Sequence, residues 1–317
     1  MIKFKEILFL KSLKRVGKAA IYGKYWKILT ETNDLDELIS NIQLMESKFS
    51  PEYLQETKNK VEELYLNIKN SDISVITIFD ENYPKQLKVM EKKKPLILYV
   101  KGNVKALTKK NIAIIGTRKP SDISQEFEEK LVKNIVNTSD RAVVSGLALG
   151  CDKIAHKTTV DENKTTIAIL PSGVNVITPA SNKKLAESII DTGGSLVSEY
   201  EPDAKAFKRT YVERDQIVAA FSDATFVVEC SVKSGTMHTV NFAKEYGKQI
   251  FSYLPEDRPK DSYDGNMFIL NNDENTLKVE SIEKFLVDLK NITENNEKLN
   301  NMSNSVQPPL DSFNGEV

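Results

Sequence analysis

The sequence predicts an α/β protein: a doubly wound, mostly parallel sheet preceded by a small helical domain. Two observations carry this. From residue 111 onward, short runs that are apolar throughout alternate with longer amphipathic stretches. That is the pattern of parallel strands buried on both faces by covering helices. Before about residue 70 the chain is rich in lysine and glutamate, and its apolar residues fall at helical spacing.

Along the N-terminal segment, Leu8, Phe9, Leu10, Leu13 and Val16 fit one helical face, and Leu54, Val61, Leu64 and Leu66 fit another. Between them, "LKRVGKAAIYG" resembles half of a helix-hairpin-helix, whose glycine turn aims backbone N–H groups at a phosphate; so short and degenerate a pattern is more simply a plain interhelical turn. "ISVITIFDENYPKQL" then predicts a strand and a turn, and "KKPLILYVKGN" a second strand ending at Gly102. Further strands are predicted at 112–115, 142–145, 166–170, 195–198, 225–229 and 249–253. Helices are predicted at about 122–137, 150–160, 181–190, 211–221 and 236–247. The last stretch, with seven asparagines in residues 291–317 and few large apolar groups, reads as a disordered tail. The expected organisation is therefore a helical domain over 1–70, the α/β domain over 71–288 and a tail over 289–317 with no winged helix.

Composition narrows the function. The net charge of −1, from 44 basic and 45 acidic side chains, is not that of a protein coating nucleic acid through bulk charge, so any such site must be a local patch. There is no apolar run of about 18 residues, and the N-terminus has charges spread through it, reading as a first helix rather than a signal peptide. Two cysteines in 317 residues suggest a reducing compartment. A soluble, cytoplasmic protein without membrane partners is expected. The Cys151–His156 and Cys230–His238 pairs are spaced too loosely for an ordinary tetrahedral zinc site, so buried thiols are expected, with no metal and no cofactor.

In an open parallel sheet, ligands bind beyond the carboxyl ends of the strands. Each informative loop lies at such an end. "IAIIGTRKPSDIS" opens like a dinucleotide fold, but where the second glycine should leave the turn bare it places Thr117, Arg118 and Lys119 after Gly116. Ser145, Gly146 and Gly150 follow the next strand, Ser172 and Gly173 the one after, and Lys233, Ser234, Gly235 and Thr236 precede a helix further on. Small residues at helix N-termini leave N–H groups unhindered for an anion, and Arg118 adds a planar charge suited to phosphate oxygens. Between the fourth and fifth strands of this series, Lys205, Phe207, Lys208, Arg209, Tyr211 and Arg214 interleave cations with rings, as single-strand binders do, although five acidic residues share the stretch. Asp152, at a helix start, reads as a cap, and Lys157 as a lysine within reach of a phosphate or merely solvated.

These motifs resemble the DNA-processing protein A (DprA, or Smf) family over roughly residues 1–285. The matching segments are "GTR" at 116–118, "SGLALGCDKIAH" at 145–156, "ILPSGVNVITPASNKKL" at 169–185, "GGSLVSEYEP" at 193–202 and "SDATFVVECSVKSGTMHT" at 222–239. The resemblance implies an extended Rossmann-like fold behind a helical (SAM- or helix-hairpin-helix-like) domain. It also implies a homodimer that binds single-stranded DNA and helps load the RecA recombinase in natural transformation. By the same resemblance, Arg118 contacts the DNA backbone. The family's Phe-Pro-x-Arg-Asn-Arg segment falls on Tyr211–Gln216, putting Tyr211 beside the bases and keeping Arg214. Asp215 and Gln216 depart from it, exchanging a cation for an anion. The expected phosphate-binding set is Gly116, Thr117, Arg118, Lys119, Ser145, Gly146, Ser172, Gly173, Lys208, Arg209, Tyr211, Arg214, Lys233, Ser234, Gly235 and Thr236.

Two other readings compete with this one. Related phosphoribohydrolases of the LOG type carry Pro-Gly-Gly-x-Gly-Thr-x-x-Glu with a catalytic glutamate; aligned on Gly235-Thr236, that position is Thr239, which lacks the carboxylate needed for general acid or base work. A sensor of nucleotide-derived ligands would use the same anion pocket, and the near-neutral total charge suits it. The expected function is nevertheless non-enzymatic single-strand binding.

Overall fold

The computed structural model describes residues 2–258 and 262–292. Five helices open the chain: α1 (Phe4–Ser12), α2 (Lys18–Tyr22), α3 (Trp26–Glu31), α4 (Leu35–Met45) and α5 (Pro51–Lys69). The longer two start on local signals. The Asp34 carboxylate accepts the Glu37 N–H at 2.9 Å, and the Ser50 hydroxyl accepts the Tyr53 N–H at 3.2 Å ahead of Pro51 at the first helical position. Strands β1 (Ile73–Thr77) and β2 (Ile97–Gly102) pair antiparallel.

The strand–helix alternation follows: β3 (Asn111–Ile115), α6 (Asp122–Thr138), β4 (Ala142–Ser145), α7 (Cys151–Asp161), β5 (Thr166–Ile169), α8 (Lys183–Asp191), β6 (Ser195–Ser198), α9 (Lys208–Phe221), β7 (Ala224–Val227), α10 (Thr236–Glu245) and β8 (Gln249–Tyr253). Then come α11 (Asp264–Asn272) and β9 (Thr276–Val279), neither of which the sequence pattern announces. The sheet runs β1-β2-β6-β5-β4-β3-β7-β8-β9, with the six strands from β6 to β8 mutually parallel and β2 antiparallel to β6. The architecture is the expected one, a doubly wound and mostly parallel sheet with helices N-terminal to it.

Strand side chains alternate between two cores, as a period of two requires. On β2, Ile97 and Tyr99 join one buried cluster, and Leu98 and Val100 the other. On β6, Leu196 and Val197 divide the same way. The first cluster takes in Phe4, Ile7, Leu8, Leu54 and Val61, so the helical segment shares a core with the sheet; Phe4 meets Tyr99 edge-on at 6.2 Å. Met1–Lys278 accordingly forms one compact unit, in which the helices up to Lys69 are not a separate body. The described residues from Val279 on belong to a second unit, in which residues 282–292 are helical. Of the tail expected over 289–317, residues 289–292 instead continue this helix; the rest, and with it the expected absence of a winged helix, lies outside the described residues.

Two N-terminal readings change. Leu66 is 52% exposed, and Ile68 takes its place on the buried face of α5. The "LKRVGKAAIYG" turn leads into a helix of only five residues, and Lys18 within it is spent on the Glu199 carboxylate at 2.6 Å and the Lys93 carbonyl at 3.1 Å. It is an interhelical turn tied to the rest of the protein.

Candidate nucleic-acid interface

Strand order reverses between β3 and β7: the chain builds β4, β5 and β6 outward on one side, then returns to lay β7 on the other. At such a switch point the loops diverge and leave a crevice beyond the strand ends. Here the crevice is a cleft of about 700 Å3. Its walls are Gly116–Arg118 after β3, Gly146 and Ala148 after β4, Ser234–Thr236 at the start of α10, and Lys208, Tyr211, Arg214 and Asp215 from α9.

The loop after β3 is held from three sides. The Thr117 N–H donates to the Glu229 carbonyl at 2.7 Å, the Cys151 N–H donates to the Thr117 carbonyl at 3.1 Å, and the Thr236 hydroxyl donates to the Gly116 carbonyl at 3.0 Å. Further on, the buried Glu229 carboxylate accepts both the Ser121 N–H (2.8 Å) and its hydroxyl (2.7 Å). Gly150 is required by this packing: its φ is +73°, and a Cβ there would lie 2.3 Å from the Thr117 carbonyl oxygen and 2.7 Å from Arg118 Cα. The backbone is thus fixed while the Arg118 side chain is exposed, and among the described residues no hydrogen bond or ion pair engages its guanidinium. Its neighbour is the Tyr211 ring, 6.0 Å from guanidinium to centroid.

Tyr211 is half-buried, with the Arg214 guanidinium also 6.0 Å from its centroid. The two arginines differ in chemistry. Arg214 is buried; its Nη1 donates to the carbonyls of Gly146 and, at 3.1 Å, Ile169, while its Nε donates to Asp215 at 2.8 Å. It is a strut across the ends of β4 and β5, not an open phosphate ligand. Asp215, which reads as a reversed charge in the sequence, is neutralised in the same contact; burial raises its carboxyl pKa and the Arg214 charge pulls the other way.

Asp152 does not cap α7. Its carboxylate accepts the N–H groups of Gly146 (3.1 Å) and Ala148 (3.2 Å), shaping the loop after β4. Opposite, no side chain caps α10, and the Ser234 hydroxyl is buried without a hydrogen-bond partner among the described residues. An uncapped helix start with a waiting hydroxyl and a favourable dipole is receptive to an anion.

Other expected ligands have different surroundings. Ser145 is buried and its hydroxyl donates to the Ile114 carbonyl at 2.7 Å. The Ser172 hydroxyl donates to the Val176 carbonyl at 2.5 Å, and the Gly173 N–H to the Ala204 carbonyl at 2.8 Å, so the loop after β5 stays out of the cleft. Arg209 is paired with Glu213 at 2.7 Å, and neither Arg209 nor the exposed Lys233 lines the cleft. Lys119 faces a neighbouring groove. Lys208 does enter, because α9 begins three residues before the predicted start.

Sequence reasoning missed Glu229, whose only signal is an acid directly after the apolar run of β7, and it missed His238 as a residue lining the cleft. His156 is buried with Nδ1 2.7 Å from the Thr166 hydroxyl; burial first, then the Arg214 charge, lower its pKa to about 3, so it is neutral at pH 7. Cys151 and Cys230 are free, buried thiols whose pKa values burial pushes up. Among the described residues no cluster of three or more His, Cys, Asp or Glu could hold a metal ion, and no helix is long and apolar enough to cross a membrane.

Fold and cleft together define a Rossmann-like α/β protein whose candidate ligand site sits at the topological switch point. The profile of the family described as DNA recombination-mediator protein A matches residues 74–290, and the chain belongs to that family. Protein Smf of Borreliella burgdorferi is 30% identical over 190 residues, a match spanning 59% of this chain and 59% of that relative's own length. The crystal structure of DNA processing protein A from Streptococcus pneumoniae superposes with a TM-score of 0.74 at 24% identity, covering 90% of this chain and 98% of that one. A structure of DNA processing protein A from Helicobacter pylori, described for its single-stranded DNA binding mode, matches at 28% identity and a TM-score of 0.62, covering 70% of this chain and 97% of that one.

Proposed function

We propose that the chain binds the backbone of single-stranded DNA in the switch-point cleft and acts, without catalysis, as a recombination mediator. The observation that carries this is the contrast inside the cleft. Arg118 and Lys208 are exposed and unspent, while both carboxylates in the cleft wall are engaged by protein groups. Such a cleft offers unpaired positive charge to phosphates and no free carboxylate for hydrolysis. Thr239, at the position of a hydrolase glutamate, is buried in the cleft wall. Tyr211 stacks on one base while Arg118, Lys208, the Ser234 hydroxyl and the N-terminus of α10 hold phosphates. Protection of single strands in the cytoplasm, a homodimeric state and delivery of DNA to the RecA recombinase during DNA uptake follow from family membership and belong to the same proposal.

The test is fluorescence anisotropy of the full chain with labelled oligothymidine and with duplex. Arg118→Ala should weaken single-strand binding at least about tenfold, the worth of one charge-assisted contact, and equally for all base compositions. Tyr211→Ala should cost about 1–3 kcal/mol, and Tyr211→Phe little. A folded Arg118→Ala protein with unchanged affinity removes Arg118 from the site. No binding by the wild type would favour a nucleotide ligand in the cleft instead.

A further inference from the structure

Behind the loop that carries Arg118 lies a second concavity of about 390 Å3, between α6 and α7. Its lining includes Lys119, Lys133, Lys153 and Lys157, against the carboxylates Glu129 and Asp161. Lys157 is paired with Asp161 within its own helix, and Lys133 stands 3.9 Å from Glu162. Lys119 and Lys153 are exposed and make no ion pair among the described residues. The groove therefore presents two unspent cations, two partly spent ones and the exposed Glu129 carboxylate, a net positive lining.

Cleft and groove meet at a narrow shoulder. Arg118 lines the cleft and Lys119, the next residue, lines the groove; Gly150, packed against the Thr117 carbonyl and Arg118 Cα, lines the groove too. Lys153 and Lys157 are one helical turn apart, about 6 Å along the axis of α7, and form a row leading away from the shoulder. A polyanion held at Arg118 has two ways to continue. On the far side of the cleft the carboxylate of Glu213 is spent on Arg209 and the Tyr200 hydroxyl, and the 199–215 stretch carries five acids to four bases. On the groove side the next side chains are lysines.

We propose that the strand leaves the cleft over the Lys119–Gly150 shoulder and runs along the α6–α7 groove, with its phosphates on Lys119, Lys153 and Lys157. The occupant is the same single strand, so the proposal rests on the cleft reading and lengthens its footprint. It gives Lys119 a place, and makes the α6–α7 groove a second, sequence-independent section of one track.

The experiment compares two labelled oligothymidines, of about six and about twenty nucleotides, on the full chain. The variants are Lys153→Ala with Lys157→Ala, the same pair changed to Arg, and Arg118→Ala. Both lysines are solvent-exposed, so the fold tolerates their loss. The double alanine variant should bind the long strand about tenfold more weakly and leave the short one unchanged; its salt slope on the long strand should fall by about 0.7, the share of the unspent Lys153, because Lys157 is already neutralised by Asp161. The arginine pair should restore both. If Arg118→Ala weakens both strands while the double alanine variant weakens neither, the groove is not part of the track and the cleft reading stands alone. If Arg118→Ala weakens neither, the cleft reading fails. An equal loss on the six- and twenty-nucleotide strands in the double alanine variant would also overturn the track.

Discussion

Arg118 and Arg214 flank the same tyrosine ring at 6.0 Å, yet only one has charge to offer a ligand. Sequence spacing identified both as cations near one strand edge; it carried no information on which would find carbonyl partners, because Gly146 and Ile169 are 68 and 45 residues away along the chain. Ser145 and Ser172 show the same limit, since a hydroxyl at a strand end serves a neighbouring backbone as readily as a phosphate. The distinction is measurable. Arg214→Ala leaves Asp215 half-buried without its cation and two inward-facing carbonyls without a donor, which should cost about 3–5 kcal/mol of stability, seen as a lower urea midpoint. Arg118→Ala should leave that midpoint in place. An Arg214→Ala protein of normal stability and reduced DNA affinity would make Arg214 a ligand after all.

The elements were more legible than their side-chain roles. Runs such as Ile112–Ile115 and Ala142–Val144 are buried on both faces, so they are apolar throughout and announce themselves; the predicted edges of β3–β8 fall within two residues of the observed ones. By contrast β9, with a buried–exposed–exposed–buried pattern, gives neither a period of two nor a continuous apolar run. The sequence pattern starts α9 three residues late because Lys208-Arg209 carries no apolar signal, although Lys208 itself belongs to the expected phosphate-binding set and does line the cleft. What elements alone do not convey is how one loop clamps another. Gly150, at the N-terminus of α7, sets the path of the loop after β3, and Gly150→Ala should reveal it. The positive φ and the close Thr117 and Arg118 backbone should together cost at least about 1 kcal/mol, and displacement of Arg118 should weaken oligonucleotide binding in the same variant. Gly17→Ala, outside the cleft and with nothing within 4 Å of an added Cβ, is the control; thermal unfolding and anisotropy run on both variants separate the two effects. If Gly150→Ala unfolds at the wild-type temperature and binds normally, the clamp has no role in the site.

For the whole molecule, a net charge of −1 excludes long-range steering as the source of affinity and assigns it to a few local contacts. That has a quantitative consequence. The unspent cations are Arg118 and Lys208 in the cleft and Lys119 and Lys153 in the groove; at about 0.7 released counterion per phosphate contact on a single strand, they give a plot of log affinity against log salt a slope of about −3. A six-nucleotide strand confined to the cleft should show about half of that. Because these four charges lie along one path rather than over a face, duplex DNA, whose phosphates diverge around a rigid cylinder, should engage fewer of them and bind more weakly at every salt concentration. Titrations of both strands and the duplex at several salt concentrations decide the matter. A slope near about −10 would require a basic surface elsewhere in the assembled protein, for instance one created when two chains combine, and a slope near zero would mean that stacking and neutral hydrogen bonds, not phosphate contacts, hold the ligand.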